Sequence, residues 1–226
     1  MQQSTLLYGG RSQARIVALM LAREGVQAGH IFDATLQRPT FDTDATFSNT
    51  PDGLIRALET CTDFVVCIGG YHGAQRAALS NTLRMRFGLT PRSVIAPNAM
   101  IDSSAEIGDG VQIMPGAFVG VDTVIGDYAL LNSVCSVDHE GRIGRGVHIM
   151  GAAALAGRVS VGDHAGVGTN ATVLPDVTIA SGVQVGAATL VRKDTPENAV
   201  VVGCPARRIR TEAPVIDTSV LDAINP

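Results

Sequence analysis

The chain has 226 residues, 46% of them hydrophobic, with a mean hydropathy of +0.23, which excludes wholesale disorder. A formal charge of −4 with 17% charged residues leaves no basic footprint for nucleic acid. Cys61, Cys67, Cys135 and Cys204 show no CxxC spacing, no apolar run approaches the ~20 residues of a bilayer span, and the opening MQQSTLLYGG lacks a basic n-region. The expectation is a soluble, cytoplasmic protein with no metal, nucleic-acid or membrane partner.

The first ninety residues alternate strand and helix. Thr5–Tyr8 reads as a strand, Gly9-Gly10-Arg11-Ser12 as a turn, and Gln13–Glu24 as a helix with Ile16, Val17, Met20 and Leu21 on one face. A second strand at His30–Phe32 ends in Asp33, Leu54–Leu58 belongs to a short helix, and Phe64–Ile68 is a buried strand ending in Gly69-Gly70. Gln75–Phe87 is helical, with Gly88 as its stop. This pattern predicts a small parallel α/β domain over residues 1–92, binding its ligand at the strand ends. There Gly9, Gly10 and Gly69 would let backbone N–H groups approach a diphosphate, while Asp33 accepts from a ribose or base. The turn is not a full GxGxxG, which disfavours NAD, and glycines that merely turn the chain remain the plain alternative.

From Ile95 onward a period of six takes over. Every sixth position from Ile95 to Val191 is Ile, Val or Leu, and two residues before each stands a small or β-branched side chain such as Ala117, Cys135, Ala153 or Ala171. A helix would smear this pattern around its axis and a flat strand wants period two. A triangular coil of three short strands, eighteen residues per turn, fits it, and 25 glycines against 4% aromatics suit a core of small residues. The glycine following many of the aliphatics (Gly108, Gly120, Gly126, Gly144, Gly162, Gly168 and Gly186) is expected at the sharp corners, where φ disfavours other residues. A purely structural solenoid would not need the first ninety residues.

Within this frame Val137 and Gly141 point inward, so His139 points out, between the carboxylates of Asp138 and Glu140. Such flanking can fix an imidazole's tautomer and raise its basicity. His148, next to the inward Ile149, is expected to face outward near a corner, half a coil away. His164 is expected as a solvated surface residue, and Cys135, an inward position, as structural.

VDHEGRIGRGVH (137–148), AGRVSVG (156–162) and VVVGCPARRI (200–209) make the sequence resemble the bacterial nucleotide-sugar N-acetyltransferases and the related sialic-acid O-acetyltransferases. The resemblance implies a Rossmann-like nucleotide-sugar domain (1–92), a left-handed parallel β-helix of hexapeptide repeats (93–210) and a C-terminal tail (211–226). It implies His139 as general base and Glu140 as its orienting carboxylate. It also implies acetyl-CoA as co-substrate beside His148 and Gly157, the latter through its N–H, and nucleotide-sugar binding by Gly9, Gly10, Arg11, Ser12, Asp33 and Gly69. The family's usual Gly-His after the double glycine is here Arg11-Ser12. A homotrimer follows from the same likeness. The activity implied is direct transfer of an acetyl group to the amine of a nucleotide-linked sugar, a 4-amino-4,6-dideoxyhexose, for surface-glycan synthesis. O-acetylation of sialic acid or another sugar hydroxyl, and a non-catalytic sugar-nucleotide-binding scaffold, are the competing readings.

Overall fold

In a computed structural model, residues 4–224 are described, and they form two compact units. One takes in the described residues up to Ile68, then Ala78–Val94 and the segment from Ile216; the other takes in Gly69–Ala77 and Ile95–Val215. Among the described residues no helix is long and apolar enough to cross a membrane.

The first unit is built on a five-stranded parallel sheet. Its strands are β1 (Ser4–Tyr8), β2 (Gln27–Phe32), β3 (Thr46–Ser48), β4 (Asp63–Val66) and β5 (Thr90–Pro91), in the order β3-β2-β1-β4-β5. The helices are α1 (Ser12–Arg23), α2 (Pro51–Thr60) and α3 (Gly73–Phe87), whose first residues group with the second unit. Period-two alternation divides the sheet's side chains. Leu6, Phe32, Phe64 and Val66 pack with Leu54 and Ala57 of α2 and Leu79 and Leu83 of α3. Leu7, Ile31 and Val65 face the other way, and all three are buried. Strand β3 and strand β5 carry too short an apolar run to be seen in the sequence.

The end of the chain corrects the expectation of a tail over 211–226. Leu221 and Ile224 join the same core as Leu6 and Phe32, on the short helix α4 (Ser219–Asp222). Arg86 secures it, donating from Nη1 to Asp222 at 3.0 Å and from Nη2 to the Ile224 carbonyl at 3.0 Å. Two apolar residues and an arginine outside the repeat gave no sequence signal for this docking.

The second unit is a parallel β-helix. Seventeen two-residue strands, from Val94–Ile95 to Leu190–Val191, stack into three faces, and ladder partners lie eighteen residues apart, as Val119 with Val137 and Leu130 with His148. The first face runs from Val94–Ile95 to Gln184–Val185 and is extended by Ala199–Val202 and the antiparallel Arg207–Thr211. The second runs from Met100–Ile101 to Leu190–Val191, and the third from Glu106–Ile107 to Thr178–Ile179. The aliphatic of each hexapeptide and the small residue two before it fill one continuous core, from Val111 to Val201.

The corner glycines have a different reason from the expected one. Glycines after the aliphatic do not have positive φ; the left-handed position is two residues further on. That position accepts Asp122, Tyr128, Val134, Glu140, Ala152, Arg158 and other side chains at φ between 52° and 65°. Each coil supports the strain, because the left-handed turn aims the residue's N–H at the coil before it: Tyr128 at Asp109 O (2.8 Å), Glu140 at Val121 O (2.7 Å), Arg158 at His139 O (2.9 Å). The glycines instead sit where adjacent coils nearly touch. A Cβ on Gly126 would lie 2.9 Å from the backbone nitrogen of Arg145, and on Gly162 2.6 Å from that of Ser181.

Gly126→Ala is therefore expected to cost about 1–3 kcal/mol through forced separation of two coils. Gly116→Ala, at φ +72 with the nearest atom 3.5 Å away, should cost about 1 kcal/mol or less, since Ala152 and Ala188 already occupy the equivalent corner. Thermal unfolding of both variants decides; a larger loss at Gly116 would restore φ as the reason.

Candidate active site

The strand Ser136–Val137 of the second face ends in the turn Asp138-His139-Glu140-Gly141. Its backbone is held from both neighbouring coils: Asp138 N–H donates to Leu155 O (3.0 Å), Glu140 N–H to Val121 O (2.7 Å), and Thr123 Oγ1 to Asp138 O (3.0 Å). Asp138 spends its Oδ1 on the His139 backbone N–H at 2.8 Å. Glu140 is thus the carboxylate that meets the ring, with Oε2 2.9 Å from His139 Nδ1. Both side chains remain about half exposed, at 45% and 54%. With Nδ1–H given to Glu140, Nε2 is left as a free lone pair directed away from the turn, the arrangement a general base requires.

Eighteen residues on, Gly157 lies buried against the same ring. A Cβ there would overlap His139 Nε2 and Cε1, so only glycine leaves the imidazole in place. The neighbouring strand Arg142–Ile143 opens on a groove of about 590 Å³ along the third face, with Val124, Arg142, Ser160 and Thr178 in its wall. Cys135 is fully buried and burial pushes its thiol up to about 12, so it supplies no nucleophile. Among the described residues no group of three or more His, Cys, Asp or Glu could hold a metal ion.

The first unit gathers Gly9, Gly10, Arg11, Ser12 and Asp33. Gly9 takes φ +116, and a Cβ there would lie 2.9 Å from Cys67 O. Gly10 N–H donates to Asp33 Oδ2 (2.9 Å), while Thr35 donates to Oδ1 from its N–H (2.9 Å) and its hydroxyl (2.6 Å). Arg11 Nη2 reaches the Thr35 hydroxyl at 3.2 Å. Asp33 therefore holds the turn in shape, and of a carboxylate's roughly four lone-pair positions one is left for an outside donor. Arg11, as N-cap of α1, gives no side-chain cap to the first turn of the helix, the end whose dipole favours an anion. Thr40 ties the adjoining loop to the turn, N–H to Gly10 O at 3.1 Å. Beside it lies a recess of about 650 Å³ lined by Arg15, Arg38, Phe41 and Phe47.

Gly69 does not join this group; it belongs to the second unit and lies beside His148, where a Cβ would be 3.9 Å from Cε1. His148 itself corrects an expectation. It points away from the β-helix core as predicted but is only 4% exposed, because the segment Gly69–Ala77 covers it. Its Nδ1 lies 2.9 Å from Gly70 O and its Nε2 3.3 Å from Asn132 Nδ2. A carbonyl only accepts, so Nδ1 carries the proton and Nε2 accepts from the asparagine. His164 is half-buried rather than solvated, and its Nδ1 is a buried atom without a hydrogen-bond partner.

No family model and no curated protein matches the chain. Solved structures do. Perosamine N-acetyltransferase from Caulobacter crescentus, in complex with CoA and GDP-perosamine, is 30% identical with a TM-score of 0.83, over 92% of this chain and 97% of that one. The chain belongs to the hexapeptide-repeat family of bacterial nucleotide-sugar N-acetyltransferases. The Caulobacter enzyme was solved with one histidine replaced by asparagine and, separately, by alanine. A second family member, the acetyltransferase domain of PglB from Neisseria gonorrhoeae in complex with acetyl coenzyme A, is 25% identical with a TM-score of 0.82, over 92% of this chain and all of that one. WeeI from Acinetobacter baumannii, 23% identical at a TM-score of 0.81 over 92% and 100% of the two chains, shares the fold.

Sequence reading missed Thr35, Asn132, Tyr71 and Arg76 in this family member. None of them falls in a motif, and the hexapeptide period cannot show what lies against the outside of a face. The buried His148 has a measurable consequence. Burial, with the Arg76 charge nearby, lowers its pKa from 6.5 to about 4. Between those values the unfolded chain binds a proton that the folded chain refuses. Stability is then complete above about pH 6.5 and falls as the pH drops toward 4, by about 3 kcal/mol in all. Denaturant titrations at pH 7.5 and 4.5 should show a larger loss for the wild type than for His148→Asn, which cannot titrate; equal losses would sink the assignment.

Proposed function

We propose that this chain transfers the acetyl group of acetyl-CoA to the amine of a nucleotide-linked amino sugar, a 4-amino-4,6-dideoxyhexose, in the cytoplasm. The observation that carries the proposal is the His139–Glu140 pair, 2.9 Å apart on a corner clamped by the coils on either side. The sugar amine attacks the thioester carbonyl, and His139 Nε2 takes the proton that the amine loses. Glu140, on Nδ1, fixes the tautomer and stabilises the imidazolium that forms. The Gly157 N–H stabilises the oxyanion. When the tetrahedral adduct collapses, the carbon–sulfur bond breaks and CoA leaves with the proton held by His139. Acetyl-CoA is a substrate in this scheme, approaching Gly157 along the groove of the third face.

In the first unit, read as the Rossmann-like domain, Gly9, Gly10, Arg11 and Ser12 bring the positive end of the α1 dipole to the diphosphate. Arg15 and Arg38 of the adjoining recess add guanidinium charge, and the last lone pair of Asp33 takes a nucleoside hydroxyl. Gly69 lets the sugar approach. The β-helix coils wind left-handed in this reading, as in the family.

His139→Ala should lower kcat by about 10²–10⁴-fold, the range for a positioned base. Because the ring is outside the core, the thermal midpoint should stay within about a degree. A panel of UDP-, GDP- and dTDP-linked amino sugars, assayed for free CoA thiol, measures this. Release with a hydroxyl-only sugar and with no amino sugar would hand the reading to O-acetylation.

The second face leaves Met100 and Phe118, which are ladder partners, at 60% and 37% exposure, Phe118 on the strand next to the one that ends at the His139 corner. Apolar residues so placed suit contact with another copy, and closed cyclic symmetry around a triangular prism gives a homotrimer. Light scattering should return three times the 23.5 kDa chain mass. A fully active monomer would refute it.

A further inference from the structure

The corner that carries His139 recurs every eighteen residues, and a column of left-handed positions runs along it. Asp122, Glu140, Arg158 and Asp176 occupy that column at φ 55°, 59°, 60° and 63°. Backbone bonds fix the rungs: Glu140 N–H donates to Val121 O (2.7 Å), Arg158 N–H to His139 O (2.9 Å) and Asp176 N–H to Gly157 O (3.2 Å). Successive members therefore stand one coil apart, about 4.8 Å. Arg158 has a carboxylate on each side of it, Glu140 in the coil before and Asp176 in the coil after.

An arginine so placed can pair with either. Here it turns to Asp176, with Nε 2.6 Å from Oδ1 and Nη2 2.9 Å from Oδ2, a bidentate pair. Glu140 turns the other way, with Oε2 2.9 Å from His139 Nδ1. The pull of Glu140 on the guanidinium persists all the same: Asp176 first, and Glu140 after it, push the Arg158 pKa above its ordinary value. Both Arg158 and Asp176 are exposed, and an exposed ion pair adds little to stability. What the pair decides is which carboxylate the arginine takes. Without the Asp176 charge, Glu140 would be the one anion of the column within a coil of the guanidinium. An arginine–carboxylate pair is then the stronger of the two bonds open to Glu140.

We propose that Asp176 is a positioning residue for the acetyl transfer: by engaging Arg158 it keeps Glu140 on His139 Nδ1 and leaves Nε2 free to take the proton. The proposal rests on the reading of His139 as the base given above. Arg158 stands as a competitor for Glu140, and Asp176 as its restraint. The ring proton follows that competition, because the nitrogen that carries it is set by the hydrogen bond the ring makes. Once Glu140 leaves, the proton can move from Nδ1 to Nε2, and a protonated Nε2 accepts nothing from the sugar amine.

The test compares Asp176→Ala with the double variant Asp176→Ala/Arg158→Ala in the full-length protein. Alanine suits this kind of corner, since Ala152 and Ala188 already hold left-handed positions. In Asp176→Ala, nitrogen-15 shifts of the neutral His139 ring should report the proton on Nε2 in place of Nδ1. With an amino sugar and acetyl-CoA, kcat should fall about tenfold, the scale of coupling within one charged network. Removing the arginine as well should return the proton to Nδ1 and recover most of kcat. A proton that stays on Nδ1 in Asp176→Ala, a kcat that does not fall, or losses that the second substitution leaves in place overturn the proposal. Asp176→Asn takes the place of the alanine variant should that one fold poorly, because Asn170 and Asn198 also sit at left-handed corners. If the wild type turns over no amino sugar, the functional reading fails separately. The nitrogen-15 comparison then decides by itself whether Asp176 keeps Arg158 from Glu140.

Discussion

Each residue of the β-helix is fixed by the residue eighteen positions before it and the one eighteen after. Parallel ladders join the coils on all three faces, and at the corners the left-handed residue sends its N–H back to the preceding coil. Adjacent coils are then only a strand spacing apart, about 4.8 Å. That spacing leaves room for an inward aliphatic and a small partner, and at the tightest crossings for nothing beyond a hydrogen. The glycines at 126, 144 and 162 record that limit, and the rest of the unit inherits its rigidity from it.

The His139–Glu140 corner follows from this stacking. His139 belongs to a turn whose carbonyls and N–H groups are already committed to Val121, Leu155 and Arg158, so its Cα has little freedom. Glu140 occupies the left-handed position of that turn, and the conformation brings its carboxylate back onto the neighbouring ring. The coil above the turn and the coil below it decide the remaining space, and Gly157 keeps it open for the imidazole. An imidazole held this way needs no extra loop to orient it.

The outer surface of the helix obeys a different rule, since it depends on what is laid against it. On the first face the row Leu130, His148, Gly166 and Gln184 would be solvent-facing in a bare coil. The segment Gly69–Ala77 converts it into an interior, with a neutral histidine, a buried arginine and a tyrosine ring in the slot of a missing side chain. The same nine residues are drawn from the strand-and-helix part of the chain, so the boundary between the two units does not fall at a single point in the sequence.

The sequence alone determined the features with a short physical period. Seventeen aliphatics six residues apart admit one core geometry, and the inward pair at Val137 and Gly141 already forces His139 outward beside its carboxylates. Alternating strand and helix patterns likewise located β1, α1, β2 and α3 within a few residues. Tertiary structure decided whatever rests on contact between distant segments. It chose Glu140 over Asp138 as the ring's partner, because Asp138 Oδ1 accepts the backbone N–H of the turn. It buried His148, docked Leu221 and Ile224 into the first core, and spent three of Asp33's lone pairs on Gly10 and Thr35. A repeat reports which way a side chain points relative to its own backbone; only the folded chain shows what stands on the other side of it.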